Sequence, residues 1–143
     1  MTEVQKSPFK FKGYTIQESS ISQKPTSKVG KFSVSVTPKG IIDSVNKTFQ
    51  LDLIVNIKEA SDKFKCSVRI VGIFEFTNET NKNNIANYFY VNSSAILFPY
   101  VRAYIAALTS LSGLKTINIP TLNLTKMGKE LEQNTIETVS LKK

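Results

Sequence analysis

Histidine is absent from this chain of 143 residues, and cysteine occurs once, as Cys66. The first absence removes Ser-His-Asp and Cys-His catalysis, together with imidazole metal sites. A single thiol builds neither an internal disulfide framework nor a thiolate metal site, and it suits a reducing compartment. The six glycines form neither a G-x-G-x-x-G fingerprint nor a P-loop. The carboxylates of Asp43, Asp52, Glu59, Asp62, Glu75 and Glu79 are scattered, without a motif spacing for paired acid–base work. These gaps argue against an enzyme. Long apolar runs are missing too. The longest, residues 95–108, covers about 14 positions and contains Pro99 and Arg102, too short and too polar for a bilayer. The opening Met1-Thr2-Glu3-Val4-Gln5-Lys6 holds no apolar signal core. The expectation is a cytoplasmic protein with no membrane insertion, no metal and no cofactor.

Apolar residues make up 41% of the chain, enough for a packed core. We read one domain over 1–143, with 1–8 and 134–143 frayed. The net charge of +8 invites a nucleic-acid partner, and half of it falls within residues 1–31. Folded nucleic-acid modules usually cluster arginines and aromatics with their lysines. Here Arg69 and Arg102 are the only arginines, so a generally lysine-coated surface is the better account.

The first half reads as strands. Phe49, Leu51, Leu53, Val55 and Ile57 alternate with Gln50, Asp52, Ile54, Asn56 and Lys58, the period of a half-buried strand. Phe64, Cys66, Val68 and Ile70 repeat the pattern, and Phe74 and Phe76 continue on the same face. The turn Glu59-Ala60-Ser61-Asp62 makes these two runs a hairpin, and the inward parity of Cys66 makes it a core residue. Phe32, Val34 and Val36 mark a shorter strand, ended by Pro38-Lys39-Gly40. Phe9 and Phe11 have one parity, Tyr14 and Ile16 the other, and a β-bulge at Gly13 would restore a common face. Four such strands imply an antiparallel sheet with one buried face.

The second half is helical. After a polar loop at 78–84, Leu97, Val101, Tyr104, Leu108 and Leu111 recur at helical spacing, widened by Ile96, Tyr100 and Ile105. Ser93 or Ser94 is expected to cap the helix, which keeps Pro99 near the first turn, and Ser112-Gly113 to end it. Nearly the whole circumference is apolar, so one side should meet the sheet and another a second copy of the same helix. Arg102 is either a solvated helix residue or half of a structural ion pair. A shorter helix, about 125–133, presents Met127 and Leu131.

Two segments carry a family likeness. Ile96-Leu97-Phe98-Pro99-Tyr100-Val101-Arg102 and Ile117-Asn118-Ile119-Pro120-Thr121-Leu122-Asn123-Leu124 resemble the I-L-F-P-Y-x-R helix start and the L-N-L-x-P-x-N-F segment of the protein-export chaperone SecB family. Phe9-Lys10-Phe11-Lys12-Gly13 with Glu18-Ser19-Ser20-Ile21 looks like that family's first strand. Cys66-Ser67-Val68 with Gly72-Ile73-Phe74 looks like its fourth. The resemblance implies an α+β fold, a four-stranded antiparallel sheet with two helices packed on one face, assembled as a dimer of dimers. It also implies an ATP-independent holdase that keeps unfolded polypeptide clients, such as precursor proteins, in apolar grooves.

On that likeness, Ile117, Ile119, Leu122 and Leu124 of the crossover, Met127 and Leu131 of the second helix, and an aromatic wall of Phe74 and Phe76 are the expected client groove. The alternative is that these residues cover the sheet as monomer core. Tyr104, Ala107, Leu108 and Leu111 are the expected homotetramer interface. The family docks on the motor SecA through acidic positions on the exposed sheet face. Glu18 keeps one acid, while Ser22, Lys65 and Ser67 stand at the others, which argues against the usual SecA contact. SecB-like proteins of toxin–antitoxin pairs, which protect an antitoxin, offer another kind of client. A basic nucleic-acid-binding protein or an accessory oligomer on the same scaffold are the competing readings. Salt separates them, since phosphate binding weakens steeply with ionic strength.

Overall fold

The computed structural model describes residues 9–24, 30–77, 85 and 87–138. Strands β1 (Phe9–Gln23), β2 (Phe32–Asp43), β3 (Thr48–Glu59) and β4 (Phe64–Phe76) precede helices α1 (Asn87–Leu111) and α2 (Leu124–Gln133), and β5 (Thr135–Thr138) closes the order. The sheet runs β1-β4-β3-β2-β5, antiparallel except that β5 lies parallel to β2. It therefore has five strands, one more than expected, and residues 135–138 of the supposedly frayed tail supply the fifth. Asn134 starts it: its side-chain amide donates to the Pro38 carbonyl at 3.0 Å, and its carbonyl accepts from Gly40 N–H.

The hairpin of β3 and β4 carries the core. Phe49, Leu51, Leu53, Val55 and Ile57 face Phe64, Cys66, Val68, Ile70 and Phe74 on one side, all buried. Each such side chain contributes about 1.5–3 kcal/mol by leaving water. Burial also pushes the Cys66 thiol up, consistent with an inert core residue. The expected bulge is present: pairing of β1 with β4 slips between Phe11 and Gly13, where Gly13 takes φ +135°. A second slip after Ile16 lets Glu18 face Arg69.

Two boundaries differ from the sequence reading. Strand β2 does not stop at Pro38 but pairs with β3 through Asp43. Proline is tolerated because the groups at Pro38 and Gly40 point away from β3, so the missing N–H removes no bond to β3. Helix α1 begins at Asn87, which puts Pro99 in its interior, on an exposed side. Ser93 and Ser94 are not caps. Both are buried in the helix, and their hydroxyls donate back to the Tyr90 carbonyl. The extra turns bring Phe89 into the core, with ring centroids 4.8 Å from Phe9, 4.9 Å from Phe49 and 5.0 Å from Phe76.

At 25 residues α1 is long and apolar enough, by length and composition, to cross a membrane. Its inner side instead lies on the sheet, with Leu97, Val101 and Ile105 fully buried. Its end follows the Ser112-Gly113 expectation. Gly113 adopts φ +81°, its N–H bonds the Ser110 carbonyl, and Leu114 N–H bonds that of Thr109. The polar loop read at 78–84 lies outside the described residues.

Candidate functional site

Beyond the Gly113 and Leu114 bonds at the end of α1, the crossover between the helices, residues 112–123, is held to α1 by the Thr109 hydroxyl. Buried Thr109 Oγ1 donates to the Ile105 carbonyl at 2.9 Å and accepts from Ile117 N–H at 3.0 Å. Ile117 and Ile119 then point into the core. Asn123 caps α2 by accepting from Lys126 N–H, so α2 turns back over β2 with Met127 and Leu131 buried beneath it. Gly128 lets α2 also lie close against α1, because a Cβ there would meet Val91 Cγ2 at 2.6 Å.

Between this crossover, α2 and the inner face of β2 runs a groove. One recess, of about 510 Å³, is lined by Phe32, Val34, Leu114, Thr116, Pro120 and Leu122 among others. A second, of about 160 Å³, continues past Val36, Lys126 and Met127, sharing Val34 and Leu122 with the first. Phe32 is 41% exposed, its ring edge-on to Phe64 at 5.5 Å. The groove borders an open strand edge. On β2 the carbonyls of Pro38 and Ile42 and the N–H of Gly40 point outward, to partners in residues 134–138. Pairing with β3 is continuous, so the backbone groups of Phe32, Val34 and Val36 point the same way, beyond the reach of β5.

The expected groove residues are redistributed. Phe74, Phe76, Ile119 and Leu131 are buried in the chain's own core, where Phe74 and Phe76 flank the Phe89 ring, while Ile117 and Met127, also buried, line the two recesses. Leu122 and Leu124 are half-buried, and Leu122 lines the recess. Phe32, Val34, Val36, Leu114 and Pro120 went unread as site residues. The alternation of Phe32, Val34 and Val36 was visible, but not that their strand is an open edge.

The expected interface residues lie along α1: Ala107 and Leu111 exposed, the latter by 88%, and Tyr104 and Leu108 half-buried. The Tyr104 hydroxyl is 2.8 Å from Ser19 Oγ. Arg102 is exposed and has no ion pair among the described residues. Glu18, Ser22, Lys65 and Ser67 come together on the outward sheet face, where Glu18 faces Arg69, Ser22 faces Lys65 and Ser20 faces Ser67.

Residues 15–135 match the family described as preprotein translocase subunit SecB. The chain belongs to the SecB family. A protein-export protein SecB of Anaplasma phagocytophilum is 28% identical over 92 residues, covering 60% of this chain and 58% of that protein. An uncharacterized protein of Methanocaldococcus jannaschii is 34% identical over 67 residues, 47% of this chain and 43% of its own. This SecB-family chain thus spans about half the length of the curated relatives it matches. The fold matches the Rv1957 SecB-like chaperone of Mycobacterium tuberculosis, solved in complex with a ChAD peptide from the Rv1956 HigA1 antitoxin. The TM-score is 0.70 at 13% identity, over 81% of this chain and 88% of that one.

Proposed function

We propose that this SecB-family chain is an ATP-independent holdase, a cytoplasmic homotetramer that captures unfolded or aggregation-prone polypeptides in extended form. The observation that carries the reading is the apolar recess opening beside a strand edge left unpaired among the described residues. An extended segment laid against Phe32, Val34 and Val36 completes their outward hydrogen bonds while alternate side chains drop toward Leu114, Pro120 and Leu122. Main-chain pairing tolerates varied sequence, and several such grooves on one oligomer sum weak contacts into useful affinity. Clients of this chemistry include precursor proteins and, by analogy with the Mycobacterium tuberculosis neighbour, an antitoxin segment.

The test is binding of a reduced, unfolded protein at low and moderate salt. Salt-tolerant binding is expected. Replacing Val34 and Leu122 together by Asp should weaken it roughly tenfold or more, because two apolar contacts become desolvated carboxylates. Absence of binding by an intact oligomer overturns the reading. Aspartate at Ile119 and Met127 would test folding instead, since both side chains are core.

A further inference from the structure

The outward face of the sheet is distinct from the groove, and its rows are ordered by chemistry. Cross-strand register places Ser20, Ser67, Asn56 and Ser35 in one row, and Ser22, Lys65, Lys58 and Ser33 in the next. Most of these line a shallow recess of about 460 Å³. More lysines gather at the same end of the sheet. Lys24 N–H bonds the Lys63 carbonyl, and the Lys31 carbonyl accepts from Ala60 N–H, so Lys24, Lys31, Lys58, Lys63 and Lys65 surround the β3–β4 turn.

Few acids oppose this charge near the turn; Glu18, exposed on the same face, stands one row away opposite Arg69. Lys58 and Lys65 stand directly opposite one another, an arrangement that costs stability when nothing bridges it. Asp62 reaches Lys58 at 3.3 Å, but both partners are more than half exposed and the pair is screened. The other local acid, Glu59, is turned into the turn and occupied by Ser61 Oγ–H and the N–H groups of Lys63 and Gly30. Among the described residues, Lys24, Lys31, Lys63 and Lys65 form no ion pair.

We propose that this serine- and lysine-lined face is a docking surface for an acidic, extended polypeptide segment. Charge complementarity selects the occupant: carboxylates spaced along a strand-like chain meet lysines from neighbouring strands. Meanwhile Ser20, Ser22, Ser67 and Asn56 offer hydrogen bonds to its amides. A nucleic acid fits less well. Arg69 is engaged with Asp52 at 2.9 Å, and no aromatic side chain lies in these two rows to stack a base.

The experiment is fluorescence anisotropy with a labelled glutamate- and serine-rich peptide, titrated with the intact protein at low and physiological ionic strength. Salt-sensitive binding is expected, weakened roughly tenfold or more by Lys58→Glu with Lys65→Glu and unchanged by Lys129→Glu on α2. If circular dichroism shows that the reversed pair misfolds, Lys58→Gln with Lys65→Gln carries the same test. Absence of peptide binding, binding indifferent to these lysines, or tighter binding of single-stranded oligothymidylate overturns the proposal. Capture of the unfolded protein by the same variants should persist. Its loss beside intact peptide binding would tell against the holdase reading alone.

Discussion

Gly128→Ala sets two effects of opposite sign against each other. In an exposed helix the change would stabilise by about 1 kcal/mol, since glycine is the poorest ordinary helix former. Gly128 is buried where α2 meets α1, and the added Cβ would sit 2.6 Å from Val91 Cγ2 and 3.1 Å from Val91 N. The first distance is about 1 Å inside normal carbon contact. Valine holds one strongly preferred rotamer in a helix, and a backbone nitrogen cannot swing aside. Helix α2 must therefore shift, loosening Met127 and Leu131. Overpacking of this kind costs about 1–3 kcal/mol, so we expect a net loss of about 1 kcal/mol. Thermal unfolding at fixed protein concentration should show a midpoint lower by roughly 3–5 °C. Client affinity should fall with it, because α2 forms one wall of the groove. A variant that unfolds at a higher temperature would refute the claim that this contact sets the position of α2.

Two further predictions concern the supports of the site. Thr109→Val keeps the shape but leaves the Ile117 N–H unpaired beside α1, at a cost of about 1–3 kcal/mol. Hydrogen exchange at that amide should accelerate, and protection equal to wild type would show that Thr109 does not hold the crossover. Glu59 titrates far below its ordinary value of 4.5, at about 2, chiefly through the Ser61 hydroxyl and then the Lys63 and Gly30 amides. A depressed folded pKa contributes stability that is fully present above 4.5 and drains as pH falls toward 2. Glu59→Gln should lower stability at neutral pH and flatten that acid limb in pH-dependent thermal unfolding. An unchanged slope would show that the carboxylate does not clip Gly30 to the turn.

The sheet was legible wherever one face is buried, because β3 and β4 write their period-2 pattern without interruption. Even the bulge at Gly13 could be read, as a change of parity between Phe11 and Tyr14. Strand β5 was not legible. It is four residues long, with Ile136 60% exposed, so no alternation marks it, and its partner is chosen by α2 placing Asn134 beside Pro38. The helix start was misread because Ser93 and Ser94 look like caps when only local chemistry is weighed. Their burial shows that tertiary packing, through Phe89 and Tyr90, extends the helix past them. For the groove, the sequence marked Ile117, Leu122 and Met127, which line the recesses, but not which apolar residues the chain uses for its own core. Apolar residues at Ile119, Met127 and Leu131 signal burial, but the sequence does not say whether the burying partner is the chain itself or a client.

An open strand edge beside apolar side chains is ordinarily an aggregation hazard, and the way this one is limited bears on the holdase reading. Strand β5 covers β2 from Gly40 to Asp43, and Pro38 removes the next outward donor. What remains outward is the backbone of Phe32, Val34 and Val36, a stretch long enough for one short extended segment. Such an edge is too short to template a stable sheet on its own, and the groove beside it rewards only segments with alternating apolar side chains. Each encounter is accordingly weak and reversible. Retention of a long unfolded chain must then come from engaging several grooves at once, which ties the proposed function to the proposed oligomer. A dissociated protomer should bind short peptides as well as the assembly does and lose only its hold on long clients. Equal affinity of protomer and assembly for a long unfolded chain would break that link.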